Sequence, residues 1–165
     1  MPVGRRNSAF YRWRYAQGLV CLLVINISSD KTGAVETILK ALSPEAAVPD
    51  LLSRAPTNRL YKTLLQGGHF NRESNLVERV PSTLWDTTSF AQKFIAIVGQ
   101  QATTQMCLGE GHGTFLVAEL CDALIRGDSP DRTKLKKWFD DKIKKTIKSE
   151  DVKGKQVLLE KLEAL

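Results

Sequence analysis

The chain has 165 residues, of which 42% are hydrophobic and 25% charged, and its formal net charge is +6. This composition is ordinary for one globular domain or a terminal piece of a longer array. A chain of this length can bury a sizeable core. Residues 1–14 and 129–165 each contribute +4, whereas residues 15–128 contribute −2. Such basic ends favour a polyanionic partner, most often nucleic acid, with a solvated lysine face as the alternative.

Residues 1–29 combine a basic start with an apolar run. Four arginines precede a charge-free segment over 16–29. Three interpretations remain open, namely a secretory signal, a mitochondrial presequence and a buried helix of a helical array. A membrane span is disfavoured because it needs about 20 apolar residues. We therefore separate 1–29, as an N-terminal extension or divergent repeat helix, from a helical-repeat domain over 30–165.

Two helices are predicted between residues 30 and 56. The first, over 30–42, has one apolar stripe made of Val35, Ile38, Leu39 and Leu42. Ser43 and Pro44 form a typical start for the second helix, and Pro56 ends it. Its inward-facing side chains are predicted to be Val48, Leu51 and Leu52.

A third helix is expected from a cap at Thr57 or Asn58 to Gln66, where Gly67 and Gly68 end it. Residues 69–86 have no clear period, so we predict a long loop that is functional or mobile. Thr87, Thr88 or Ser89 then starts a helix, and Gly99 is positioned to interrupt it. Its inward side chains are predicted to be Phe90, Phe94, Ile95 and Val98.

The segment 111–124, GHGTFLVAELCDAL, is the most apolar predicted helix. Its apolar positions recur at helical spacing over a wide face, which predicts the inner helix of a stack. The earlier helix 58–65 has the same plan, with apolar residues followed by glycine. Two such helices separated by outer helices suggest an α-solenoid, in which neighbouring units bury each other's apolar faces.

The C-terminal part is predicted to hold two helices. Ser129, Pro130 and Asp131 start a helix that continues to about Ile147. One face is apolar, with Leu135, Trp138, Phe139, Ile143 and Ile147, and the other is basic, with Lys134, Lys137, Lys144, Lys145 and Lys148. Asp140 and Asp141 are expected to be solvent-exposed ion-pair partners among these lysines. The last helix, over 152–165, is predicted to bury Val157, Leu158, Leu162 and Leu165.

The sequence contains no recognised catalytic or phosphate-binding motif. Cys21, Cys107 and Cys121 lie in apolar surroundings without CxxC spacing, which is typical of reduced core cysteines in an intracellular protein. His69 and His112 are too far apart in sequence to suggest a metal site. A nucleophile–base pair of Cys107 with His112, next to Glu110, is an alternative hypothesis. We therefore expect no enzyme activity and no cofactor.

Residues 57–70, TNRLYKTLLQGGHF, resemble the GR-x-LKTLLQGGHF segment of Penguin-type Pumilio-like proteins, in the C-terminal region called the CPL domain. Asn58 stands where that family has glycine. The residues Asp30-Lys31-Thr32 resemble its GDK turn, and 108–117 resemble its ATGxxSFVV element with an extra residue. The resemblance covers about residues 30–124 and does not extend into 1–29.

The resemblance implies an all-α fold, a Pumilio/HEAT-like α-solenoid of helical repeats. It also implies binding of RNA, and of DNA, without strong sequence preference. The location implied is the nucleus, largely the nucleolus, and the role is large-subunit ribosome biogenesis alongside pre-ribosomal particle proteins. Some relatives regulate translation of mRNA. No membrane or small-molecule substrate is implied.

Pumilio repeats that read sequence use two or three side chains of each inner helix for one base. By position these are Asn58, Arg59 and Lys62 in one repeat, and Thr114, Phe115 and Ala118 in the other. Ala118 cannot hydrogen-bond a base and Lys62 suits a phosphate, so we expect contacts to the RNA backbone to dominate. Phe115 is a stacking platform or a core residue. The predicted phosphate-binding residues are Arg59, Lys62, Lys134, Lys137, Lys145 and Lys148.

One alternative is a protein-interaction scaffold that binds a ribosomal protein or assembly factor without touching nucleic acid, its basic face serving only solubility. The other is a hydrolase that uses Cys107 and His112.

Overall fold

The computed structural model describes residues 30–40, 42, 48–109 and 111–165. The predictions for residues 1–29, including the three targeting or helix interpretations, and for the helix start at Ser43 and Pro44 lie outside these residues. So do the side chains of Val48 and Leu51, and Glu110 of the catalytic hypothesis.

The described chain is mostly helical, which confirms the predicted predominance of helix. Its elements in chain order are α1 Lys31–Lys40, α2 Val48–Ser53, α3 Ala55–Gln66, β1 Gly68–Asn71, β2 Leu76–Arg79, α4 Thr87–Gln105, α5 Gly113–Arg126, α6 Asp131–Trp138, α7 Asp141–Ser149 and α8 Lys155–Ala164.

Helix α5 lies at the centre of the packing, as its apolar sequence predicts. It contacts α2, α3, α4, α6 and α8. Leu116, Leu120, Cys121 and Leu124 are completely buried on it. A helix with this wide an apolar face is stable only when neighbours cover it on several sides, and here five helices do so.

Helices α1 and α4 pack against each other through their predicted apolar stripes. Val35, Leu39 and Leu42 are buried and Ile38 is partly buried against the core. All four inward residues predicted for α4 are buried as well. The Asp86 carboxylate accepts hydrogen bonds from the N–H groups of Thr88 and Ser89, which fixes the start of α4 at Thr87. Gly99, with φ 74°, interrupts the helix as expected.

The predicted cap of α3 was wrong by one turn. The helix begins at Ala55, with Pro56 in its first turn, so neither Thr57 nor Asn58 caps it. The N–H groups in the first turn of a helix have no acceptor within that helix, so proline, which lacks an N–H and has a helical φ, is favourable there. Pro56 therefore lies at the start of α3 as well as after the end of α2. The end of α3 is as predicted, because Gly67 takes the left-handed conformation (φ 68°) and its N–H donates to the Thr63 carbonyl.

A β-hairpin occupies part of the segment predicted to be a loop. Strands β1 and β2 are antiparallel, with Gly68 opposite Arg79 and Phe70 opposite Val77. The connecting turn places Asn75 at φ 57°, a conformation that asparagine tolerates. Each strand has only four residues, which is too short for alternating polarity to reveal it in the sequence.

The C-terminal helix α8 packs against α5 and α7. Leu158 and Leu162 are fully buried and Leu165 is partly buried, as predicted. Val157 was assigned to the wrong face, since its side chain is 42% exposed. Leu158, Leu162 and Leu165 share one side of the helix at i, i+4 and i+7, and Val157 lies about 100° around the helix from Leu158.

Candidate nucleic-acid interface

Helices α6 and α7 carry a concentration of positive charge. Residues 131–149 contain eight basic and three acidic residues. Lys134, Lys137, Lys145 and Lys148, the four lysines predicted to bind phosphate, are all exposed. None of them forms an ion pair with an acidic residue in the part of the chain that the structure describes. Their charges are therefore available to an external anion. We call these four side chains the lysine face.

The lysine face lies on two helices, which corrects the prediction of a single helix over 131–147. The chain leaves helical geometry at Phe139 (φ −102°, ψ 71°), and α7 begins at Asp141. Asp140 is the N-cap of α7, because its carboxylate accepts a hydrogen bond of 2.8 Å from the Ile143 N–H. The expected ion-pair role of Asp140 was therefore wrong: its carboxylate accepts from one main-chain N–H, and no ion pair with a lysine is found among the described residues.

Buried side chains anchor both helices beneath the lysine face. Leu135 and Phe139 on the α6 side and Ile147 on α7 are almost completely buried, as the apolar pattern predicts. The ammonium group of Lys134 lies 5.5 Å from the centre of the Trp138 ring, a cation–π distance. The start of α6 is also as predicted, since the Ser129 hydroxyl accepts a hydrogen bond from the Asp131 N–H.

Asn58, a predicted base contact, is buried and links α3 to the start of α5 through hydrogen bonds. Its side chain is 3% exposed. The amide nitrogen donates to the carbonyl oxygens of Leu52, at 2.9 Å, and His112, at 2.8 Å. Both donor hydrogens are thereby used, so this conformation offers no amide donor to a base.

Thr114, the second predicted base contact, is also used internally. It is buried, and its hydroxyl donates to the Lys153 carbonyl, which fastens α5 to the turn before α8. Ala118 is buried beside it on α5. Helices α3 and α5 are adjacent, and Asn58 and Thr114 hold neighbouring segments together in this structure. Their role as base contacts stays a prediction.

Arg59, Lys62 and Phe115 lie at the same junction and are partly exposed. The ammonium group of Lys62 is 5.8 Å from the centre of the Phe115 ring. The centres of the His112 and Phe115 rings are 6.4 Å apart. Phe115 is therefore neither a fully buried core residue nor an open platform. Of the residues predicted for the inner helices, these three keep contact with solvent.

The thiol groups do not form an open nucleophilic site. Cys107 and Cys121 are both buried and reduced. Burial, reinforced by the nearby Cys121, raises the pKa of the Cys107 thiol well above its ordinary value. The Cys107 thiol donates to the Thr103 carbonyl at 3.4 Å. A nucleophilic cysteine needs a thiolate and access to substrate, so this geometry gives the hydrolase alternative no support.

The hairpin and the adjacent end of α5 bring together residues that the sequence analysis missed. Arg79, at the end of β2, and Arg126, at the end of α5, both donate to carbonyls in the last turn of α3. Phe70 is 49% exposed on the same hairpin. The residues are far apart in sequence, so no local pattern signals this arrangement.

Two classes of site are absent from the described residues. They contain no group of three or more potential metal ligands. None of their helices is both long and apolar enough to cross a membrane.

Comparison with known proteins gives no assignment. No protein-family model, curated protein or solved structure matches this chain.

Proposed function

We propose that this chain is a non-catalytic RNA-binding domain that holds RNA through its phosphates. The observation that carries the proposal is the lysine face, four exposed ammonium groups without an acidic partner among the described residues. Lysine binds phosphate as a point charge, and release of counterions from the nucleic acid makes such binding favourable. Buried side chains of α6 and α7 anchor the two helices that carry these charges.

Binding is proposed to be largely independent of sequence. Phosphate contacts carry no information about bases. Asn58 and Thr114, which the resemblance makes base readers, donate their hydrogen bonds to main-chain carbonyls. The partly exposed Arg59 and Lys62 add positive charge at the α3–α5 junction. DNA is a further ligand on the same electrostatic grounds.

The helical-repeat architecture and the cellular role are also part of the proposal. Helices α3 and α5 pack side by side, and each is followed by a glycine, Gly67 and Gly127. This supports a Pumilio/HEAT-like α-solenoid in which each helix begins one repeat. The resemblance of residues 57–70 then supports membership of the Penguin-type Pumilio-like family. We propose a nucleolar role in large-subunit ribosome biogenesis, with translation regulation as a second role.

The scaffold alternative has one structural observation in its favour. A groove of about 350 Å³ lies between α1 and α4, and Leu39, Ala96 and Ile97 line it. Lys40, Lys93 and Glu36 form its rim. Such a groove suits a side chain of a ribosomal protein or assembly factor, and in that case the lysine face only keeps the protein soluble.

Replacing the four lysines of the lysine face with glutamine tests the proposal. Affinity should fall about equally for unrelated RNA sequences. The slope of log affinity against log salt should flatten by about 0.7 per lost contact, and so by up to about 3 for all four. The free energy of unfolding should change by less than about 0.5 kcal/mol, because the side chains are exposed. Fluorescence anisotropy at several salt concentrations measures both affinity and slope.

Two further variants act as controls. Lys31, Lys40 and Lys93 changed to glutamine remove charge from α1 and α4 and should alter the salt slope much less per charge. Arg59 and Lys62 changed to glutamine test the α3–α5 junction separately. If the four-lysine variant keeps the wild-type RNA affinity and salt slope, the RNA-binding proposal is wrong and the scaffold alternative is favoured. Crosslinking in cells, with enrichment of pre-ribosomal RNA, tests the proposed role.

A further inference from the structure

The β-hairpin exposes an aromatic side chain next to an arginine. In an antiparallel pair, residues two apart on one strand and their direct partners share a face of the sheet. Phe70 is opposite Val77, and Gly68 is opposite Arg79, so Phe70, Val77 and Arg79 share one face. Leu76 is paired with Asn71 and lies on the other face. Nearly half of the Phe70 side chain is exposed. Gly68 packs against the backbone of β2, since a Cβ there would lie 2.7 Å from the Arg79 Cα.

Two arginines, Arg79 of this face and Arg126 of α5, donate hydrogen bonds to the last turn of α3. The Nε of Arg79 donates to the Gln66 carbonyl at 3.1 Å, and Nη2 of Arg126 donates to the Leu65 carbonyl at 2.9 Å. These carbonyls belong to consecutive residues in the last turn of α3. Both arginines are thereby held by main-chain acceptors, which brings two cationic groups to the same turn of α3.

The nearby carboxylates are already engaged. Glu119 accepts a hydrogen bond from the Gln66 amide at 2.9 Å and pairs with Nη1 of Arg126 at 3.5 Å. Asp122 pairs with Lys161 at 2.8 Å. Arg79 has no acidic partner within ion-pair distance among the described residues, and its terminal nitrogens are available. Burial first, and then the positive charge of Arg79, lower the pKa of Arg126. An anion placed between the two groups would offset that repulsion.

We propose that Phe70, Arg79 and Arg126 form a binding site for one unpaired nucleotide of RNA, with its phosphate between the guanidinium groups and its base against the Phe70 ring. Guanidinium groups hold phosphate oxygens through paired N–H donors. An exposed aromatic ring next to a phosphate-binding group is the arrangement that single-stranded nucleic acid uses, because every base has a face that stacks. The site rests on the proposed RNA binding and adds to it a preference for unpaired strands.

The test compares a short oligoadenylate with a blunt RNA duplex of the same length. Phe70→Ala should weaken binding of the single strand about tenfold, since stacking of one base contributes about that factor. Duplex affinity should stay unchanged, because paired bases cannot turn outward onto the ring. Arg79→Gln should weaken single-strand binding by a similar factor. Phe70→Trp keeps an aromatic ring and should retain affinity, with its fluorescence quenched by the oligonucleotide.

The hairpin itself supplies the controls. Leu76→Ala removes an exposed apolar side chain from the opposite face, and Arg72→Gln removes the same charge as Arg79→Gln from the hairpin turn. Both should leave single-strand affinity unchanged. If the Phe70 and Arg79 variants behave like these controls while the four-lysine variant loses affinity, the nucleotide site is wrong and the proposed function stands. Equal loss of duplex binding in Phe70→Ala also overturns the site. If the wild type binds neither RNA, both proposals fall.

Discussion

The α3–α5 junction and the α6–α7 pair place polar side chains in opposite surroundings. At the junction, Asn58 and Thr114 are buried and donate to main-chain carbonyls of other segments. On α6 and α7, lysines such as Lys137 and Lys145 are exposed and have no acidic partner in the described part of the chain. Polar groups of the first kind stabilise the fold, whereas those of the second add surface charge at little cost to stability. Substitutions at the junction should therefore lower stability, whereas substitutions of the exposed lysines should leave it nearly unchanged.

The largest effect is expected in α5, the more buried helix of the junction. Leu120 on α5 is completely buried. Leu120→Ala should lower the free energy of unfolding by about 3–4 kcal/mol, from lost apolar burial and the cavity left behind. Urea denaturation followed by circular dichroism measures it. Leu76→Ala is the control, because Leu76 is 65% exposed on the hairpin and its truncation should change stability by less than about 0.5 kcal/mol. Equal values for the two variants would contradict the central position of α5.

Asn58→Ala tests the junction directly. The change leaves the Leu52 and His112 carbonyls without their donor and opens a small cavity. We expect a loss of about 2–3 kcal/mol, within the range for buried groups left unsatisfied. Gln100→Ala, an exposed amide on α4, should be nearly neutral. If Asn58→Ala instead keeps full stability and loses RNA affinity, then Asn58 is a base contact after all and the contrast between the two regions disappears.

A third prediction extends the contrast to protonation. Burial, and then the charge of Asp122, raises the pKa of Cys121 from 9.0 to about 12. The neutral thiol is thus favoured by folding: its stabilisation is fully present below pH 9.0 and is lost as the pH rises toward the folded-state value. In this range each such thiol contributes a fall of about 1.4 kcal/mol per pH unit.

Cys121→Ala should therefore make the alkaline decline in unfolding free energy shallower by about one proton. Urea titrations at a series of pH values above 9.0 measure this slope. Identical slopes for the wild type and the variant would show that the Cys121 thiol is more accessible than the structure indicates.

The sequence was most informative where one periodic pattern determines one buried face. The inner faces of α1, α4 and α5 were predicted correctly, because the apolar residues of each helix recur at helical spacing. Leu39, Phe94 and Leu116, one from each helix, are all buried. The exposure of the lysine face follows from the same logic, since charged side chains opposite an apolar stripe remain in water.

Tertiary partners explain what the sequence analysis missed. Asn58 looks like a helix cap or a base reader locally, but its acceptors include His112, 54 residues away. The hairpin is short, and only strand pairing places Phe70 on the same face as Arg79. The break between α6 and α7 was missed for another reason. Its apolar stripe continues across Phe139, so periodicity hid the capping signal at Asp140.

The smallest effect concerns that break, and it tests whether the lysine face needs two helices. The Asp140 carboxylate accepts from the Ile143 N–H at 2.8 Å. Asp140→Ala removes this cap and should lower the free energy of unfolding by about 1 kcal/mol. Asp140→Asn removes the same charge but keeps a capping oxygen, so its stability should match the wild type. Because both variants remove one negative charge beside the lysines, electrostatics alone would raise RNA affinity equally in both. A lower RNA affinity in Asp140→Ala than in Asp140→Asn would show that the cap positions the lysines of α7. Equal unfolding free energies for the two variants would instead mean that α7 starts without its cap. The break would then be set by the burial of Phe139.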